Sequence, residues 1–192
     1  MPDPGYPLWM IPGGQVASKT STPSSDAKVA LIEATLAVIM VGGIRDVTLA
    51  SATRAAGLAE TAVIDHFTSV EDLLEAAIRY LDTDLAEELA RCEGQPDPIA
   101  AFAVFLVGDF DNQRARTIAE YELFVYASRR PATRPLARRW LTGLNDLVST
   151  WTESRRATRT IVAYADGLRV QALVSGERLD PKVVEATIKD LL

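Results

Sequence analysis

From Asp26 onward apolar positions recur three and four residues apart, and no stretch shows the strict alternation of a half-buried strand. Val29, Ile32, Leu36, Ile39 and Met40 share one face and predict a first helix, ended by Gly42-Gly43. Thr48 is placed to cap a short second helix reaching Ala56, Gly57 makes a turn, and a third helix is expected from Glu60 to His66. Ser69 then caps a longer helix, with Asp72 three residues on closing a variant capping box. This helix is expected to reach Cys92 with Leu73, Leu74, Ala77, Tyr80 and Leu81 turned inward. After the break "EGQPDP", further helices are expected at about Pro98 to Asn112, Arg114 to Arg130, Pro131 to Glu153, Ala157 to Ser175 and Pro181 to Leu191. The apolar run Ile99 to Gly108 is too short to span a bilayer and reads as a buried helix. The pattern predicts an all-α protein without repeats.

Residues 1–25 follow a different rule. They are rich in Pro, Gly, Ser and Thr and cannot bury enough surface to fold alone, so they read as an arm. Within it "GYPLWMIPG" carries Trp9, which leaves two readings: a tail, or an arm that docks its indole on this chain or a partner. The expected division is 1–25 arm, 26–72 head and 73–192 body.

Composition narrows the chemistry. The net charge of −6 over 192 residues argues against indiscriminate binding to nucleic acid or membrane surfaces. A single cysteine, Cys92, rules out an internal disulfide and fits a reducing cytoplasm. No basic-then-apolar secretory signal is seen, and no membrane partner is expected. One His and one Cys make no zinc site without carboxylates. No HExxH, CxxC or phosphate-binding glycine loop occurs, because Gly13-Gly14 and Gly42-Gly43 lack the context. Neither an enzyme nor a cofactor is expected.

Two short helices joined at Ala56-Gly57-Leu58 and packed on a longer first helix describe a helix-turn-helix head. The segment Leu31 to Ile78 resembles the N-terminal domain of the TetR family of transcriptional regulators. The resemblance rests on Ile32, Ala34, Gly43, Thr48, Ala55-Ala56-Gly57, His66-Phe67, Glu71 and Leu73-Leu74. More loosely, "YELFVYASRRPATRPLARRW" and "AYADGLRVQALVSG" resemble the ligand-binding and dimerisation helices of one branch. The resemblance implies an N-terminal three-helix head, a C-terminal helical ligand-binding and dimerisation domain, a homodimer, operator DNA and a small-molecule ligand. It places DNA contacts at Lys28, Arg45, Thr48, Arg54, Thr61 and His66. The stripe Ile161, Ala165, Leu168, Ala172, Leu173, Val184, Ile188 and Leu191 becomes a dimer seam, although the same stripe could equally pack within one chain.

The departures from the family pattern bear on DNA. Ala59, Glu60 and Ile64 stand where members commonly carry Ser, Lys and Tyr, which removes a cap, a cation and a phosphate donor. From Asp26 to Asp72 the cations are Lys28, Arg45 and Arg54. They face Asp26, Glu33, Asp46, Glu60, Asp65, Glu71 and Asp72, a net −4. Since non-specific affinity for DNA rests on counterion release by cationic side chains, this head should hold DNA poorly. Between Asn112 and Thr160 the balance reverses to +6, with ten arginines against four acids. That region reads as solvated helix ends, or as a mouth for an anionic ligand or a surface for an acidic partner.

Phe102, Phe105, Phe110, Tyr121, Phe124, Trp140 and Tyr164 are the candidates for an apolar pocket, each of which could instead fill the core. Three functions remain open. The first is a ligand-responsive regulator reading DNA with an atypical head. The second is a protein that lost DNA reading and acts on a partner regulator, as antirepressor or coactivator. The third is a sensor or carrier of a small apolar or anionic molecule.

Overall fold

The computed structural model describes residues 23–59, 63–108 and 110–192. Eight α-helices are described: α1 Pro23–Gly42, α2 Leu49–Ala55, α3 Val70–Glu93, α4 Pro98–Val107, α5 Phe110–Ser128, α6 Arg134–Ser149, α7 Arg155–Ser175 and α8 Pro181–Leu191. A single 3-10 turn, Ile44–Asp46, joins α1 to α2. No strand occurs among the described residues, so the fold is all-α, as the periodicity requires.

Local chemistry fixes the helix ends. α1 ends at Gly43, whose φ of 84° is open to glycine and strained for other residues. Thr48 and Ser51 cap α2 reciprocally: the Ser51 amide donates to Thr48 Oγ1 at 2.9 Å and the Thr48 amide donates to Ser51 Oγ at 2.8 Å. Ser69 accepts from the Asp72 amide at the start of α3 (3.1 Å). The Asp72 carboxylate reaches back one residue further than a capping box would, to the backbone and hydroxyl of Thr68. Asp97, Ser154 and Asp180 cap α4, α7 and α8 through their side chains.

Two apolar clusters divide the molecule. One gathers α1 (Leu31, Ile32, Leu36, Ile39), Ala52 of α2, the first half of α3, the second half of α5 and the start of α6. The other gathers the second half of α3, α4, the second half of α6, α7 and α8. α3 is about 36 Å long at 1.5 Å per residue and runs from the first cluster into the second. α5 returns to the head end and α6 leaves it again. The head is therefore built onto three long helices that also form the body.

Some sequence expectations shift. Helix α1 begins at Pro23, inside the segment assigned to the arm. Val29 and Met40 are each 40% exposed, on the flank of the buried face rather than within it. The expected helix at 98–112 stops at Val107, and α5 starts earlier than expected, at Phe110. Val63 to His66 forms turns, held by the His66 and Phe67 amides donating to the Val63 carbonyl, rather than the end of a regular helix. Glu60, Thr61 and the arm with Trp9 lie outside the described residues. Among the described residues no helix is long and apolar enough to cross a membrane.

Candidate functional site

The head presents its candidate residues in different states. Arg45, on the 3-10 turn, and Arg54, in the last turn of α2, are exposed. Lys28 is exposed too, with its ammonium 5.8 Å from the centre of the Phe67 ring. Thr48 is exposed, but its hydroxyl is engaged in the cap. His66 is half-buried, edge-on to Phe67 at 6.5 Å. Gly57 takes a φ of 66° at the turn after α2, the left-handed geometry expected there. Ile64, at 69% exposure, and the exposed Asp65 stand between Gly57 and Phe67 on the outer side of the head.

Polar contacts tie the head to the body: the Tyr80 hydroxyl of α3 donates to Glu33 Oε1 of α1 at 3.3 Å, and a shorter bond that no motif announces reaches α5. The Ile44 amide donates to Oε2 of Glu122, on α5, at 2.6 Å. Gly43 suits this turn through its φ of 84°; a Cβ there would only just touch the Glu122 oxygens, at 3.4 Å. The signal in the sequence is faint: a Glu within "YELF", indistinguishable from a surface acid without the fold.

On the same helix, two positions before and two after, Glu120 and Phe124 open onto a cleft between α3, α5 and α6. Its walls are Ile78, Leu81 and Asp82 from α3, Glu120, Leu123, Phe124 and Ala127 from α5, and Leu136, Ala137 and Trp140 from α6. The Phe124 and Trp140 rings lie 5.9 Å apart. With its mouth the cleft measures about 280 Å³, and its water-accessible part is about 20 Å³, space for one or two waters.

Of the pocket aromatics expected from sequence, the structure brings only Phe124 and Trp140 to this cleft. Phe102 and Phe105 stack on each other at 6.1 Å in the far cluster, where Trp151 meets Phe102 edge-on at 5.5 Å. Tyr164 packs against that cluster, and Phe110 is buried at the start of α5. Tyr121 is half-buried, and its hydroxyl donates to the Asp166 carbonyl at 3.4 Å. Burial pushes its pKa up to about 12, so it keeps that proton. None of these five side chains lines this cleft.

The expected seam needs a similar correction. Ile161, Ala165, Ala172, Val184 and Ile188 are all at most 2% exposed within one chain, so they have no surface to offer a partner. Leu168 and Leu173 are half-buried. The outer face of α7 instead carries Ala163, Gly167, Val170 and Val174, the last two 44% and 85% exposed, beside Val183 of α8 at 60%.

An ionic cluster joins α3, α5 and α7. Arg116 bridges Asp84 (2.6 Å) and Glu120 (3.1 Å), and Arg169 meets Glu120 at 3.3 Å. Burial raises the pKa of Asp84 against the lowering effect of Arg116. Arg114 donates to the Ala172 and Leu173 carbonyls and so closes the last turn of α7 from α5. Among the described residues no three His, Cys, Asp or Glu side chains gather as a metal site. The cleft walls hold two carboxylates and no base, so the expectation of an anionic ligand finds no counterpart there.

Residues 94–192 match the family model of the tetracycline-repressor-like C-terminal domain. The transcriptional regulator BetI of Serratia proteamaculans is 30% identical over 159 residues, which cover 76% of this chain and 80% of that protein. A solved TetR-family member from Streptomyces coelicolor A3 superposes with a TM-score of 0.74 at 26% identity, covering 87% of this chain and 98% of the other. The multidrug binding protein EbrR, solved in complex with ethidium, superposes with a TM-score of 0.69 at 27% identity, again covering 87% and 98%. A helix-turn-helix head carried on a helical body of this architecture, matched over three quarters or more of its length by regulators rather than enzymes, makes this chain a member of the TetR family of transcriptional regulators.

Proposed function

We propose that the chain is a ligand-responsive regulator that acts as a homodimer on DNA. The observation that carries this reading is the Glu122–Ile44 contact, because the helix lining the cleft is the helix that holds the head. A molecule parting Phe124 from Trp140 displaces α5, and α5 cannot move without pulling on the turn that precedes α2. The EbrR–ethidium complex supports a small-molecule role for the cleft. Arg45, Arg54 and Lys28 supply the head's phosphate contacts, and Thr48, Thr61 and His66 remain the candidates for further DNA contacts. The dimer face is the outer stripe of α7, Ala163, Gly167, Val170 and Val174. These positions recur at i, i+4, i+7 and i+11, and a Cβ at Gly167 would meet nothing within 4 Å.

One observation favours a second reading, in which the head docks on a partner regulator rather than DNA. Exposed Ile64 and Asp65 stand where a DNA reader needs donors and cations. A gel shift with the promoter region beside its own gene separates the two. A shift at low salt that fades steeply with added salt supports DNA reading. A stable dimer that gives no shift even at low salt refutes it in favour of the partner.

A further inference from the structure

Asp82 is the unusual group in the cleft. Its side chain is only 12% exposed, yet the one partner shown for it is Arg139, whose Nη2 lies 2.9 Å from Oδ2 while the arginine itself is 66% exposed. A desolvated carboxylate needs a cation, and here an exposed surface side chain supplies it from the mouth. Glu120, the other acid in the walls, is engaged by Arg116 and Arg169 and has little to offer a newcomer. Beside Asp82 lie the Phe124 and Trp140 rings, whose faces attract positive charge.

Resting on the small-molecule reading of this cleft, we infer that its ligand is an organic cation. Asp82 is the counter-ion, and the Arg139 guanidinium is the group that the ligand displaces. The exchange conserves the ion pair. Arg139 returns to water that already surrounds most of it, so its release costs little. The incoming cation brings an apolar body that the aromatic walls bury. A neutral ligand leaves the Asp82–Arg139 pair in place and blocks its own entry. An anion faces two carboxylates. The narrowness of the cleft, about 20 Å³ of water-accessible space, favours a slim cation that parts the two rings.

The test is isothermal titration of the full-length protein with phenyltrimethylammonium and its neutral isostere tert-butylbenzene. The cation should bind at least about tenfold tighter than the neutral compound. Asp82→Asn should raise the Kd of the cation by about tenfold or more, whereas Arg139→Gln should lower it, because the internal competitor is gone. The opposite signs of the two variants guard against a fold defect, and thermal melting of each checks the fold directly. Equal affinity for the two compounds, or an Asp82→Asn Kd unchanged from wild type, overturns the cation assignment while the small-molecule reading survives. Binding of neither compound overturns both.

Discussion

The polar contact between α5 and the head can be broken at one atom. Glu122→Ala removes the acceptor of the Ile44 amide, a bond of 2.6 Å between partly buried groups. Hydrogen bonds to charged groups contribute about 1.5–3 kcal/mol, and partial exposure places this one near the lower end, about 1.5 kcal/mol. For a chain of this size that corresponds to a fall in Tm of about 3–6 °C. The local effect is more telling. The Ile44 amide should exchange with solvent about tenfold faster, because 1.4 kcal/mol is a factor of ten, while amides in the α4–α8 cluster keep their protection. Glu122→Gln retains a neutral acceptor and should lose about half as much. Gly43→Ala should also weaken the contact, because a φ of 84° strains alanine and the turn would relax away from it. Hydrogen exchange read at single-residue resolution decides the matter. Unchanged exchange at Ile44 in Glu122→Ala, with an unchanged Tm, would refute the idea that α5 holds the head through this bond.

Other consequences can be checked alongside. Val170→Lys with Val174→Lys should leave the fold intact and convert a dimer to a monomer in sedimentation equilibrium; a dimer that persists places the interface elsewhere. Phe102→Ala, at a position with 0% exposure, should cost about 3–5 kcal/mol and lower the Tm by about 10 °C. Cys92 is buried, which pushes its thiol up to about 12, so a thiol reagent at pH 8 should label native protein far more slowly than urea-unfolded protein. Hydrogen bonds from Thr68 and Ser69 hold the Asp72 carboxyl below its usual value. A folded pKa below the unfolded one contributes stability that is present above about pH 4 and lost as pH falls through the folded value. Asp72→Asn should therefore flatten the acid side of the melting profile, and an unchanged profile would refute the link.

The fold was legible because its signals are local. Thr48, Ser69 and Gly57 announce caps and a turn through their own chemistry, and each stands where it was expected. The heptad-like stripe on α7 and α8 was legible as a stripe but not as a surface. Ile161 and Val184 share a periodicity with an interface, and only packing against α4 and α6 decides that they face inward. The aromatics failed for a related reason: Phe102 and Phe124 look alike in sequence, and burial at 0% against a place on the cleft wall is a property of the fold. Glu122 was invisible because its partner is a backbone amide 78 positions away. Asp82 and Arg139 were likewise separated by half the body and carried no motif.

One helix answers for three tasks. From α5, Arg114 closes the end of α7, Glu122 fastens the turn before α2, and Phe124 forms part of the cleft wall. Such a shared member constrains inheritance. Changes along α5 should carry side effects at every point it serves, so this helix should tolerate substitution less well than the exposed faces of its neighbours.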